Sequence, residues 1–326
     1  TWKLCASYSF ETMPFLAHFS GSGLPGRPRT PHRGVRALLA LLLLTGCSRQ
    51  AAQPADSRLR LVSTAPNLTE CVCAIGAGDL LVGRTEVCDY PPETVRRLAV
   101  TGGFGTPYLE PLLAARPTHV LETVLADPDI KRRLDALKIP LVHVPCSRLT
   151  DIPGALRQLG ALTGHAAQAE PLAAAIASGL DAARAEAAAR ADRPRVLLLF
   201  APDSPITAGR NAFIAQLLEL AGGIPLGRDF SSDYFHVSTE WVLTQDPDLI
   251  LCVFDTGGRE PLSLFDSQTG WKALRSVCDR RVYTVPDLNT VSRPGPRVLQ
   301  GLAQLKELLA RDAQQHAPTP THALTR

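Results

Sequence analysis

Short apolar runs separated by mixed stretches give the chain a regular rhythm from residue 59 onward. Residues 59–64 alternate apolar and polar positions as a short strand does. Asn67 is placed to cap the next helix, with Glu70 at the third position of a capping box. Gly76 and Gly78 end that helix. Residues 80–85 read as a strand, 109–116 as a helix, 119–123 as a strand, 130–138 as a helix and 141–144 as a strand. Strands alternating with helices predict parallel sheets with crossover helices.

The pattern changes between residues 151 and 192, where Ala and Leu dominate, β-branched residues nearly vanish and Gly164-His165 makes one break. Alanine is the best helix former. The stretch from Gly164 to about Arg190 predicts a helix of roughly 40 Å at 1.5 Å per residue, stopped by Arg193-Pro194. Beyond it the first half recurs. Arg60-Leu61-Val62-Ser63 has its counterpart in Arg195-Val196-Leu197-Leu198, and Gly76/Gly78 in Gly222/Gly223. Glu110 precedes Pro117 and a strand at 119–123, as Glu240 precedes Pro247 and a strand at 249–253. Each half then closes on a strand ending in proline, at 141–145 and 281–286. The expected fold is α/β: two similar βα lobes with parallel sheets, 59–150 and 193–312, joined by one long connecting helix within the helical segment 151–192. A flexible tail is expected at 313–326.

The N-terminal region follows a different logic. Arg27, Arg29, Arg33 and Arg36 precede an apolar run at 37–44, too short to span a bilayer, which takes about 20 residues. Basic residues, a short apolar core and then small residues make a secretory leader, residues 1–46. Leu44-Thr45-Gly46-Cys47 matches a bacterial lipobox, with Cys47 lipidated and residues 47–58 as its tether. The net charge of +3 belongs to this leader, which holds five basic residues and one acid; the remainder has 29 basic and 30 acidic residues. A basic nucleic-acid footprint on the folded part is therefore not indicated. Export permits disulfides among Cys71, Cys73, Cys88, Cys146, Cys252 and Cys278, which are expected to be buried or bridged and not metal ligands. Their pairing is open.

Catalytic motifs are missing. The sequence has no GxxxxGK[ST], no HExxH and no GxSxG. Gly76, Gly78 and Gly83 lie between a helix and a strand, the wrong order for a dinucleotide loop. The informative residues lie in matching loops: Asp89-Tyr90-Pro91-Pro92 and the run from Thr101 through Phe104 to Glu110 in one half, and Asp233-Tyr234-Phe235-His236 to Glu240 in the other. Aromatics form only 6% of the chain, so their concentration here suggests a cleft between domains. Glu110 and Glu240 each open a helix, where a negative charge is favourable. Their equivalent places suggest two anchor points for one partner bearing paired arginine pockets.

Several runs carry a family resemblance: Leu61-Val-Ser-Thr-Ala-Pro-Asn-Leu-Thr-Glu70, Cys88-Asp-Tyr-Pro-Pro-Glu93, Gly102-Gly-Phe104 through Glu110, Ala115-Arg-Pro117, Thr207-Ala-Gly-Arg210, Val237-Ser-Thr-Glu240 and Ser292-Arg-Pro-Gly-Pro-Arg297. In order and spacing the chain resembles the periplasmic vitamin B12-binding proteins and, more broadly, the ABC-importer binding proteins for cobalamin, haem and ferric siderophores. The resemblance covers residues 59 to about 312. It implies a helical-backbone metal-receptor type of solute-binding protein with ligand in the interlobe cleft. It implies that Glu110 and Glu240 dock onto a permease dimer with its ATPase subunits. Phe104 and Tyr234 would stack on a corrinoid, with Tyr90, Phe235 and Arg293 as further ligand contacts. Val87 and Thr123 stand where the B12 proteins carry aromatics, a departure in the pocket.

The resulting expectation is a lipid-anchored periplasmic binding protein for cobalamin or a related corrinoid, with no catalytic role, cofactor or metal of its own. Haem or a ferric siderophore is the alternative ligand, favoured if Tyr90, Tyr234 or His236 ligates iron. The alternative of another class is a hydrolase using Glu110 and Glu240 as a carboxylate pair, which needs them within about 5–10 Å.

Overall fold

Apolar runs of both halves become parallel strands, and the stretches between them become the helices that cover the sheets. The structure is a computed structural model in which residues 58–316 are described, apart from 125–126, 202, 266–267 and 269. The expected leader, Cys47, the tether up to residue 57 and the chain beyond 316 lie outside the described residues.

Along the N-terminal lobe run β1 (Leu61–Ser63), α1 (Pro66–Ala74), β2 (Leu81–Arg84), α2 (Pro92–Val95), β3 (Ala99–Val100), β4 (Gly102–Gly103), β5 (Thr106–Pro107), α3 (Leu109–Ala114), β6 (His119–Glu122), α4 (Pro128–Ala136) and β7 (Leu141–His143). The sheet has the order β3-β2-β1-β6-β7, and every pairing is parallel. After α5 (Ile152–Thr163) and α6 (Ala166–Ala189) the second lobe begins. It comprises β8 (Arg195–Leu199), β9 (Ile206–Ala208), α7 (Phe213–Ala221), β10 (Ile224–Pro225), β11 (Tyr234–His236), α8 (Thr239–Gln245), β12 (Leu249–Cys252), α9 (Arg275–Cys278), β13 (Val282–Thr284), α10 (Leu288–Ser292) and α11 (Val298–Gln315). Its parallel sheet has the order β10-β8-β12-β13, the N-terminal order without β3. The repeat read from spacing is thus a repeat of topology, and the α/β two-lobe expectation holds.

A pair of arginines explains part of that repeat. Arg60, just before β1, donates from Nε to the Arg116 carbonyl at 2.8 Å and from Nη2 to the Ala115 carbonyl at 2.7 Å. Arg195, opening β8, donates from Nη1 to the Gln245 carbonyl at 2.6 Å. Each guanidinium thereby satisfies carbonyls left over at the end of α3 or α8, where positive charge is also favoured. The residues that follow, Arg116 and Asp246, both take positive φ, 48° and 41°, immediately before Pro117 and Pro247.

The connecting segment is a helical hairpin and not a single rod. Its second member, α6, has 24 residues and spans about 36 Å. Ala169, Ala173, Ile176, Leu180, Ala183 and Ala187 are buried along it, recurring every three or four positions on one face. Small side chains let α5 come close: a Cβ at Gly160 would lie 2.5 Å from the Ala169 Cβ, so this crossing requires glycine. α6 also packs on α7 and α11 of the second lobe. One apolar cluster therefore runs from Leu61 and Leu68 through Ala173 and Ile176 to Leu217 and Leu305, joining both lobes.

A buried ionic contact joins them a second time. The Glu70 side chain on α1, 2% exposed, receives Arg297 through two hydrogen bonds of 2.8 Å and Arg293 at 3.2 Å. Arg293 also donates to Asp89 at 2.5 Å and to the Val87 carbonyl at 3.2 Å, and Asn289 donates to Asp89 at 2.9 Å. Burial works against the charge of both arginines, but their carboxylate partners outweigh it and raise their pKa. Asn67 does not cap α1; Ala65 stands at the cap, and Asn67 Nδ2 donates to the carbonyls of Cys146 and Pro294. The expected capping box fails because both its residues are taken up by contacts from distant segments.

Two further expectations change. The tail does not begin at 313, because α11 continues to Gln315; buried Asp312 holds its last turns through Arg281, at 3.0 and 2.6 Å, and the Tyr283 hydroxyl at 3.0 Å. The six cysteines, expected to be buried or bridged, are all free thiols: Cys71, Cys88, Cys146 and Cys252 are buried as expected, whereas Cys73 is half-buried and Cys278 exposed.

Removing one partner of a buried ion pair strands the other, at a cost of about 3 kcal/mol. Glu70→Gln is therefore expected to lower unfolding stability by roughly that amount, read as a lower urea midpoint. An unchanged midpoint would mean that Asp89, paired with Arg293, and Asp287, 3.8 Å from Arg297, alone suffice for the two arginines.

Candidate functional site

Parallel sheets gather functional loops at the carboxyl ends of their strands. In the first lobe the loop after β2 carries Val87, Asp89 and Tyr90, and the segment after β3 folds into the antiparallel β4–β5 hairpin with Phe104 at its turn. Gly102 makes that hairpin possible: its φ is 143°, and a Cβ there would lie 2.6 Å from the Pro107 Cα. In the second lobe β9 and β11 form the corresponding antiparallel pair, with Tyr234 opposite Ala208 and Phe235 opposite Thr207. Only the first pair is a hairpin: β4 and β5 are consecutive, whereas α7 and β10 lie between β9 and β11.

Phe104 is 39% exposed and Tyr234 49% exposed, high values for large aromatic side chains. Tyr234 meets Phe200 edge to face, with ring centroids 5.1 Å apart. Phe235, its neighbour on β11, points to the opposite side of the strand. It stacks on Phe230 at 4.4 Å and meets Trp241 at 6.2 Å, so its main contacts lie within its own lobe. Phe230, Phe200 and Tyr108 were not among the expected site residues. Phe230 and Tyr108 are exposed, and their only sequence signal was proximity to the named aromatics.

Tyr90 and Arg293 take places that spacing did not reveal. The Tyr90 ring is covered on one face by the Arg297 guanidinium, 4.2 Å from its centroid, and the Tyr90–Pro91 peptide is cis. Arg293 lies inside the Glu70–Asp89 network, where its donors meet protein acceptors from the opposite lobe. Of the two departures in the pocket, Val87 gives its carbonyl to Arg293. Thr123, directly after β6, has a buried hydroxyl with no partner among the described residues.

Glu110 and Glu240 are exposed in different lobes, each in the first turn of its helix, α3 or α8. Ser238 caps α8 by accepting from the Trp241 amide at 3.1 Å. Hydrogen bonds from its own backbone amide, then from the Ser238 hydroxyl, hold the Glu240 carboxyl below the usual range and therefore anionic. Glu110 lies six positions after Phe104, and Glu240 six positions after Tyr234. A strand end and a helix start fill both intervals.

Comparison with known proteins agrees with this arrangement. A model of the periplasmic binding protein family matches residues 61–288. A vitamin B12-binding protein of Pectobacterium carotovorum subsp. carotovorum is 30% identical over 275 residues, covering 83% of this chain and 94% of that protein. An uncharacterised ABC transporter substrate-binding lipoprotein of Bacillus subtilis is 25% identical over 309 residues, covering 84% of this chain and 95% of its own. A periplasmic haem-binding protein of Roseiflexus sp. RS-1, in its apo form, superposes with a TM-score of 0.69 at 26% identity, covering 78% of this chain and 99% of that one. These relatives are solute-binding proteins, which leaves the carboxylate-pair hydrolase without support. No helix of the described residues is long and apolar enough to cross a membrane. With its repeated βα lobes, helical connector and matched loops, the chain belongs to the periplasmic binding protein family.

Proposed function

We propose that this protein is the capture subunit of an ABC importer, held at the membrane through lipidated Cys47, and that its ligand is cobalamin or a related corrinoid. The observation that carries the reading is the repeated unit of exposed aromatic and exposed glutamate, Phe104 with Glu110 and Tyr234 with Glu240, on a chain 30% identical to a vitamin B12-binding protein. Flat aromatic faces suit a large macrocycle, and a few polar groups orient its edge. The glutamates, in turn, suit a symmetric pair of arginine pockets on a permease dimer, where charge-assisted bonds fix register. No cofactor is required for this work.

Haem is the second reading, because a haem-binding protein shares the fold at 26% identity. Tyr234 and His236 are two positions apart on β11 and so share one side of it, as a pair of iron ligands would. A Soret band on the loaded protein favours haem.

Calorimetric titration of the purified chain with cyanocobalamin, haemin and a ferric siderophore tests the ligand. Corrinoid binding at micromolar or tighter affinity is expected; its absence at that level removes the corrinoid assignment. Phe104→Ala and Tyr234→Ala should each weaken binding by about tenfold, close to 1.4 kcal/mol.

Glu110→Arg and Glu240→Arg are expected to abolish uptake in a transport assay while leaving ligand affinity unchanged. A parallel loss of affinity would move the glutamates into the ligand site and end the docking assignment.

A further inference from the structure

Neither ligand capture nor the glutamates account for the exposed ring of Phe230. It lies in the loop between β10 and β11 and is 42% exposed, although it stacks on Phe235 at 4.4 Å and meets Trp241 edge to face at 6.2 Å. Tyr234 and Phe235 leave β11 on opposite sides, so Phe230 stands across the strand from Tyr234. A ligand against Tyr234 is therefore not on the Phe230 side. Trp241, half-buried under these rings, directly follows Glu240 in the first turn of α8. An exposed ring and an exposed carboxylate thus meet at the start of that helix. Exposed aromatic surface of this kind marks interaction sites.

The loop holds its ring in place through the backbone. The Phe230 amide donates to the Gly227 carbonyl at 3.0 Å, the Phe230 carbonyl accepts from the Arg210 amide at 3.0 Å, and the Gly209 amide donates to the Asp233 carbonyl at 2.9 Å. The strands approach so closely that a Cβ at Gly209 would lie 2.0 Å from the Ser232 carbonyl oxygen, and one at Gly227 2.0 Å from that of Ala208. A ring presented in this way loses little freedom on contact. Its surroundings are acidic. Residues 227–240 carry Asp229, Asp233 and Glu240 against one arginine, Arg228, which stands 3.9 Å from Asp229.

We propose that Phe230, on its base of Phe235 and Trp241, is an apolar anchor of the docking surface beside Glu240, and that it seats against an arginine-bearing face of an ABC-importer permease. The inference rests on the docking reading and adds a second contact to it. Glu240 supplies the charge; Phe230 supplies apolar area to be removed from water. A guanidinium binds a carboxylate through its edge and an aromatic ring through its plane, so one arginine can use both groups. Aromatic and arginine side chains are also the usual anchors of protein interfaces. The acids around the ring disfavour an anionic membrane surface as the partner. In the first lobe Pro111 follows Glu110 where Trp241 follows Glu240, and no such stack stands beside it. The two docking points are therefore unequal, with the braced rings on the side of Glu240.

Photocrosslinking in cells that produce the full chain together with its importer tests the surface. Phe230→p-benzoylphenylalanine is expected to form an adduct with the membrane-spanning subunit of that importer, identified by mass spectrometry. No adduct, or adducts only with lipid, a second copy of the chain or an unrelated protein, overturns the proposal. The same probe at Leu137, exposed just before β7, is expected to give no permease adduct, and an equal yield there overturns it too. Phe230→Ser should weaken binding of the purified chain to the importer in nanodiscs by about tenfold, and Phe230→Tyr should restore it. The urea midpoint and the affinities for cyanocobalamin, haemin and a ferric siderophore should stay unchanged in both variants. Unchanged importer affinity in Phe230→Ser, or a loss matched by a loss of ligand affinity or stability, overturns the proposal. The Glu240→Arg uptake assay separates the two readings. If that variant still transports, docking through Glu240 fails and this inference falls with it. If it does not transport while Phe230→Ser docks normally, only the inference about Phe230 falls.

Discussion

One carboxylate, that of Glu70, governs how the two lobes meet. An ionised group taken out of water costs several kcal/mol unless its oxygens are fully engaged. Here the engagement comes from across the molecule, from Arg293 and Arg297 between α10 and α11. A guanidinium presents its donors in a rigid fork, so satisfying Glu70 leaves the loop through Pro294 and Gly295 little freedom of placement. Asp89 and Asn289 then follow on the outer edge of the same contact. With the alanine stripe of α6 packed on both sides, the lobes share a core and a charge network, and their relative orientation is over-determined.

That over-determination shows where sequence reading succeeded and where it stopped. Periodicity, proline placement and the recurrence of Glu110 and Glu240 were enough for the two lobes, because each signal is local or repeats at a fixed interval. The role of Arg60 and Arg195 was partly visible as a repeat, though not its cause, since a side chain reaching a carbonyl some 55 residues away leaves no local trace. Asn67 and Glu70 show the failure most clearly. Their spacing is that of a capping box, and nothing nearby contradicts it. Only the arrival of Cys146, Pro294, Arg293 and Arg297 from elsewhere in the chain reassigns both side chains. For the same reason Arg293 read as a ligand contact. The hairpin strands β4 and β5, two residues each, are below the length at which alternation can be recognised.

The two lobes are repeats in topology but not in surface. The second packs Tyr234 against Phe200 on one side of β11 and Phe235 with Phe230 and Trp241 on the other. The first exposes Phe104 and Tyr108, which make no ring contact with each other or with any aromatic among the described residues. On the proposed reading, a ligand would meet Tyr234, braced edge-on by Phe200, on one side and a sparser wall around Phe104 on the other.

The equal interval from Phe104 to Glu110 and from Tyr234 to Glu240 carries a mechanical meaning. In each lobe one short run of backbone, a strand end leading into a helix, has at its start the ring proposed to face the ligand and at its end the carboxylate proposed to dock on the transporter. Arg60 and Arg195 clamp the far ends of those helices to the first strand of each sheet. A force applied at either glutamate therefore has only a few peptide units in which to dissipate before it reaches the ring. The transporter would not need to pry whole lobes apart to disturb the cargo; tugging two short levers would do.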